Sequence, residues 1–171
     1  MPPKQKAALQ YPLYDDAGNQ QKPEEHCEFL EKKLRIASKP LMLPPSPDLV
    51  QTLRNVGETE NKELKGVPFT AVTFTDKTSP EQLGPALAVL EKYPLLEKLH
   101  FRNAKLTAKA LEQVVHFLEL KPEVTRLQID NSGLDQDLLK FLFSELYRTG
   151  LRALTLTEAA FTPEALISAG V

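Results

Sequence analysis

The sequence predicts an α/β fold: a short solenoid of about four strand–helix repeats with parallel strands, preceded by an irregular N-terminal extension. Three observations predict it. A short apolar pattern returns at nearly constant spacing from Phe69 onward, helical apolar periodicity fills each interval, and eight of the fourteen prolines fall in residues 1–47. A length of 171 residues with 42% hydrophobic content suits one domain of ordinary size that carries an extension and can bury a core.

The composition changes near residue 65, so the chain divides into a Pro-rich extension, 1–65, and a repeat domain, 66–171. Tyr11-Pro12-Leu13-Tyr14 reads as extended chain running into a turn at Asp15-Asp16-Ala17-Gly18-Asn19, because Gly18 and Asn19 tolerate positive φ. Pro23-Glu24-Glu25 places acids in the first turn of a helix over about 24–37, with Cys27, Phe29, Leu30 and Leu34 tracing its apolar side. The segment from Lys39 to Pro45 reads as extended, since Pro40, Pro44 and Pro45 leave no room for helical hydrogen bonds. Ser46-Pro47 then pairs an N-cap with proline at the first helical position. The resulting helix, over about 47–56, has Leu49, Val50, Leu53 and Val56 on one face and stops at Gly57, and that face can cap the open end of the first repeat. Glu58 to Lys65 mixes both signs of charge and reads as a solvated loop.

In the repeat domain the pattern runs Phe69-x-x-Val72-x-Phe74, Leu96-x-x-Leu99-x-Phe101, Val124-x-x-Leu127-x-Ile129 and Leu151-x-x-Leu154-x-Leu156, with starts 27, 28 and 27 residues apart. A further apolar residue follows five positions on, at Leu106, Leu134 and Phe161, while the first unit has Ser79 there. Helical patterns come next: Leu83, Leu87 and Leu90; Leu111, Val114, Val115 and Leu118; Leu138, Leu139, Leu142 and Leu146. Each unit is thus a strand, a turn and a returning helix. The last unit starts its helix at Thr162-Pro163-Glu164 but has only Ala165, Leu166 and Ile167 before the final Ser-Ala-Gly-Val.

This pattern resembles the leucine-rich repeat family, in its ribonuclease-inhibitor-like class, where units of about 28 residues pair a strand with a full helix. The resemblance covers residues 67–171 and is closest over Leu96 to Pro122, where Leu106-Thr107-Ala108-Lys109-Ala110-Leu111 follows the family's turn into its helix. It implies a parallel sheet along one side of a solenoid. One position departs from the pattern: where the family usually has Asn or Cys bonding the turn backbone, this chain has Lys77, Ala104, Ser132 and Ala159.

The repeated leucines are core, because each unit can bury its apolar side only against its neighbours. Function must sit on residues that point the other way. Strand side chains alternate with period two, which puts Ala71, Thr73 and Thr75, then Lys98, His100 and Arg102, then Arg126, Gln128 and Asp130, then Ala153, Thr155 and Thr157 on an open concave sheet. Four strands make a surface about 15–20 Å across, enough for a helix or a loop. Lys98, His100, Arg102, Arg126, Gln128 and Asp130 form its charged and polar centre and are the expected partner-binding residues. A second expected contact is the C-terminal end, at Leu154, Leu156, Phe161 and Leu166, because a short last helix leaves the final strand as an edge able to recruit another chain.

Chemistry-bearing motifs do not stand out. The seven glycines never approach the spacing of a phosphate-binding loop, and His26, His100 and His116 lack the i, i+4 spacing of a zinc site. Neighbouring residues on a helix diverge by about 100°, so His26 and Cys27 read as packing residues rather than one site, and His116 reads as a surface or helix-packing residue. His100 has no candidate nucleophile or orienting acid evident in sequence, and reads as a contact residue. A formal net charge of -2 and few aromatics offer no general case for nucleic acid or an anionic membrane. One cysteine, no signal-like start and no apolar run of spanning length point to a non-secreted, cytoplasmic protein. Mitochondrial import is disfavoured by Asp15-Asp16 and the absence of Arg from residues 1–21, and Met1-Pro2-Pro3-Lys4 resembles the start of some flagellar proteins, the one pointer to a ciliary or cytoskeletal setting.

The expected function is therefore non-catalytic: a protein–protein interaction module, scaffold or stoichiometric subunit of a larger assembly. Its expected partners are other protein subunits, with no cofactor, metal, nucleic acid, membrane or small-molecule substrate. The competing reading is an enzyme, or a regulator of one, with a site between extension and solenoid.

Overall fold

The computed structural model describes residues 11–157. Within them the elements run α1 (Pro23–Ser38), a 3-10 turn (Lys39–Leu41), α2 (Pro47–Glu58), β1 (Ala71–Phe74), α3 (Pro80–Leu90), β2 (Lys98–Arg102), α4 (Ala108–Leu120), β3 (Arg126–Asp130), α5 (Gln136–Glu145), a second 3-10 turn (Leu146–Arg148) and β4 (Ala153–Thr157). The strands form one all-parallel sheet in the order β1-β2-β3-β4. The fold class is α/β, and each strand begins two residues after the first apolar residue of its sequence pattern.

The constant spacing fixes the register. Val72, Leu99, Leu127 and Leu154 align across the sheet, as do Phe74, Phe101, Ile129 and Leu156. The same junction recurs at each strand start: the carbonyl of Thr70 accepts from the N–H groups of Glu97 and Lys98, that of Glu97 from Thr125 and Arg126, and that of Thr125 from Arg152 and Ala153. Helix starts follow from local chemistry. Ser79 caps α3 in a reciprocal pair with Gln82, Thr107 caps α4 through the N–H of Ala110, and Asp135 caps α5 through the N–H of Leu138. Ser79, the polar exception in the first unit, is thus a helix cap.

Two local expectations are overturned. Lys39–Leu41 is a 3-10 turn rather than extended chain, with Met42 in the left-handed region at φ 56. Proline's fixed φ suits a 3-10 turn, and Pro40 has no N–H to carry the α1 ladder past the Lys39 bond to the Arg35 carbonyl, so the helix ends in one tight turn. Gly57 does not stop α2, which runs on to Glu58 before Thr59 turns extended; Gly57 instead accommodates Glu24 of α1, whose Cγ would lie 3.3 Å from an added Cβ.

The core is continuous from the extension into the repeats. Leu13, Leu30, Leu34, Leu49 and Leu53 are buried in the same cluster as Leu87, Leu90, Tyr93, Leu99, Phe101, Leu127 and Leu142. Helix α1 packs against α2 and α3, and α2 lies beside β1. Asp48, in the first turn of α2, accepts from the Thr75 N–H at 2.8 Å, the Thr75 hydroxyl at 3.0 Å and the Thr78 hydroxyl at 2.7 Å. Ser46 Oγ lies 2.7 Å from Thr78 Oγ1, and Gln82 Nε2 donates to the Pro44 carbonyl at 2.8 Å.

A second lock links successive units. Tyr93 and Lys121 both precede a proline, 28 residues apart. The Tyr93 hydroxyl closes its own unit by donating to the Phe69 carbonyl, whereas Lys121 reaches back one unit: its Nζ donates to the carbonyls of Glu91 at 3.1 Å and Tyr93 at 3.0 Å while pairing with Glu123 at 2.9 Å. Phe69 and Tyr93 stack at 4.0 Å. Gly150 takes the place of those prolines in the next unit, where an added Cβ would lie 2.3 Å from the Pro122 carbonyl oxygen. Among the described residues no helix is long and apolar enough to cross a membrane.

Candidate functional site

The sheet presents one face to the helices and one away from them. On the second face the register builds three rows: Ala71, Lys98, Arg126 and Ala153; Thr73, His100, Gln128 and Thr155; and Arg102, Asp130 and Thr157. Parallel pairing without a bulge makes residues of equal repeat position neighbours about 4.8 Å apart. All six residues expected at the centre of the face lie on it, in adjacent positions of β2 and β3.

Asp130 is the hub. Its Oδ2 lies 2.6 Å from His100 Nε2 and accepts from Gln128 Nε2 at 2.9 Å, while its Oδ1 accepts from the Thr157 hydroxyl at 2.6 Å. These donors, Thr157 first and His100 next, hold the carboxyl below its ordinary pKa and keep it ionised. The cations are less engaged. Arg126 Nη2 is 3.9 Å from Glu97 Oε2, with both side chains half exposed, and among the described residues Lys98 and Arg102 have no carboxylate within salt-bridge distance. The face therefore has an internally bonded polar centre flanked by accessible positive charge.

Beyond the first strand the face opens into a groove between α2 and β1 with a volume of about 610 Å³. Gln51, Thr52 and Asn55 form its α2 side, and Leu64, Val67, Ala71 and Thr73 line it opposite. No charged side chain lines it. Sequence reasoning missed this groove, because it depends on the tilt of a non-repeating helix against the first strand.

It also missed a turn pair. Asn103 and Asn131 sit two residues after the third apolar residue of their units, both with positive φ (57 and 46), and Asn131 Nδ2 donates to Asn103 Oδ1 at 3.0 Å. Their spacing of 28 was the available signal. The position read for a turn-bonding residue is one further on, where Ala104 and Ser132 are buried instead, and the Ser132 hydroxyl donates to the Asp130 carbonyl at 3.0 Å.

The C-terminal set is split. Leu154 and Leu156 lie on the core side of β4, partly buried against the cluster, while Phe161 and Leu166, with the helix expected after Thr162, lie outside the described residues. His26 and Cys27 are buried separately within α1: His26 Nδ1 lies 2.8 Å from Gln21 Oε1, and burial pushes the Cys27 thiol up to about 12, away from thiolate chemistry. His116 is exposed on α4. Among the described residues no three His, Cys, Asp or Glu side chains converge on a metal-sized point. No protein-family model and no curated protein matches this chain.

Proposed function

We propose that residues 66–171 form a short leucine-rich-repeat solenoid of the ribonuclease-inhibitor-like class. We propose further that the chain is a non-catalytic protein–protein interaction module, a stoichiometric subunit of a cytoplasmic multiprotein assembly. The observation that carries this reading is the alignment of Lys98 with Arg126, His100 with Gln128, and Arg102 with Asp130 on the sheet face turned from the helices. A polar face on a rigid sheet is a surface for recognition, since its side chains keep their positions without the support of a partner. The recurring junctions at Thr70, Glu97 and Thr125 support a repeating architecture.

The test compares proteins retained from lysate by the immobilised chain and by the triple variant K98E/R102E/R126E. The three sites are surface positions, so the variant should melt within a few degrees of the parent. Proteins held by this face should be lost from the variant. Retention of every captured protein overturns the reading.

A further inference from the structure

The outer edge of β1 carries hydrogen-bonding groups that the fold leaves unused. Backbone N–H and C=O groups alternate in direction along a strand. The Thr70 carbonyl bonds to β2, so Val72 and Phe74 also point that way, and Ala71, Thr73 and Thr75 point outward. The Thr75 N–H is the outermost of these and is satisfied, by the Asp48 carboxylate at 2.8 Å. Among the described residues the N–H and C=O of Ala71 and Thr73 meet no such partner. They border the groove of about 610 Å³ whose far wall carries the amides of Gln51 and Asn55. At its lower end the groove exposes apolar surface, with Leu64 54% and Val67 43% accessible.

We propose that this groove takes an extended peptide segment of a partner protein, added to the sheet as a strand beside β1 and held between that strand and α2. The two residues supply two donors and two acceptors at the 6.6–6.8 Å repeat of a strand. The room between the walls suits about five residues of extended chain, since a residue occupies roughly 100–140 Å³ at protein packing density. An uncharged lining selects an uncharged segment, with an aliphatic side chain toward Leu64 and Val67 and no proline where the peptide must donate to the Ala71 or Thr73 carbonyl. Asp48 shows the chemistry in miniature, because it already supplies an acceptor to the same strand edge. Lys98 is the cross-strand neighbour of Ala71, but neither it nor Arg102 nor Arg126 lines the groove, so the site does not depend on the reading of the charged face.

The test selects binders to the full-length chain from a phage-displayed library of random 12-residue peptides, then follows one synthetic binder by amide hydrogen exchange. The expected result is a peptide whose binding slows exchange at Ala71 and Thr73 and leaves Val72 and Phe74, already bonded to β2, unchanged. Asn55→Trp, at an exposed α2 position, should fill the groove and weaken that peptide at least tenfold, while K98E/R102E/R126E binds it as the parent does. Ala71→Pro, which removes one outward donor at the start of an edge strand, should weaken it less. The proposal is overturned if no peptide is selected, or if those selected survive Asn55→Trp without protecting the two amides. It is likewise overturned if both amides are protected in the free chain and lose protection on deletion of residues 1–10, since the chain then fills its own groove.

Discussion

The contact between the extension and the first unit is built differently from the contact between the second and third units. Between β2 and β3 the join is a backbone ladder with matched apolar rows, Leu99 to Leu127 and Phe101 to Ile129, and any sequence keeping the pattern would make it. Between α2 and β1 no ladder exists, and the join rests on Leu49, Leu53 and Val56 for area and on Asp48, Ser46, Thr78 and Gln82 for direction. A repeated interface is tolerant because geometry supplies its hydrogen bonds; an unrepeated one depends on particular side chains. The groove beside β1 is a product of the second kind of join, since a helix laid against a strand edge cannot satisfy every group along it.

The largest test of this contrast is Leu53→Ala, compared with Leu127→Ala. Both side chains are buried, so each should cost about 3 kcal/mol in urea unfolding. A continuous core predicts one transition for both variants, followed by far-UV circular dichroism; a separate early transition in Leu53→Ala alone would show the extension unfolding by itself.

Asp48→Ala sharpens the comparison, because it leaves the Thr75 N–H and the Thr78 hydroxyl without their acceptor at the join. A loss of about 2 kcal/mol is expected, with amide exchange accelerating in α2 before β3. An equal acceleration throughout would mean that the extension and the repeats open together.

The extension should also respond to acid. His26 is fully buried in α1, and burial lowers its pKa below the ordinary 6.5, a backbone interaction with Lys92 opposing only part of that. The folded chain thus binds the proton less well than the unfolded one, so the stabilising contribution is full above pH 6.5 and is lost as pH falls from there through the folded-state value. The slope from this one group cannot exceed about 1.4 kcal/mol per pH unit. His26→Gln should flatten the stability profile below pH 6.5, and an unchanged profile would assign the dependence elsewhere.

The smallest effect belongs to the repeats. Asn131→Ala places a methyl side chain at φ 46 and breaks the bond to Asn103, so about 1 kcal/mol should be lost, and Asn131→Gly should restore most of it. Equal losses in both would locate the effect in the side-chain bond rather than the backbone.

Legibility in the sequence followed the same divide. The strands, their parallel order and the residues sharing the outer face follow from period two within strands and a spacing of 27 or 28 between them, and these alone put Lys98, His100, Arg102, Arg126, Gln128 and Asp130 on one face. The start of α2 was equally readable, because Ser46 and Pro47 act within a single turn. What stayed hidden depends on contacts distant in sequence. Asp48 gave no sign of reaching Thr75 across 27 residues, nor Asp130 of gathering His100 and Thr157. The turn at Lys39–Leu41 stayed hidden because proline content argues against helix continuation, yet a proline still allows one last 3-10 turn at the end of the helix before it.

The backward reach of Lys121 gives the molecule a temporal order. The loop at the base of the first unit is closed by a side chain that belongs to the second, 28 residues further along. On the ribosome, therefore, the carbonyls of Glu91 and Tyr93 face water until the second unit has emerged, and the first unit is finished by its successor. Excising the second unit would take Lys121 with it and offer Thr149 in its place, whose hydroxyl is already spent on the Leu146 carbonyl, so the base of the first unit would stay open.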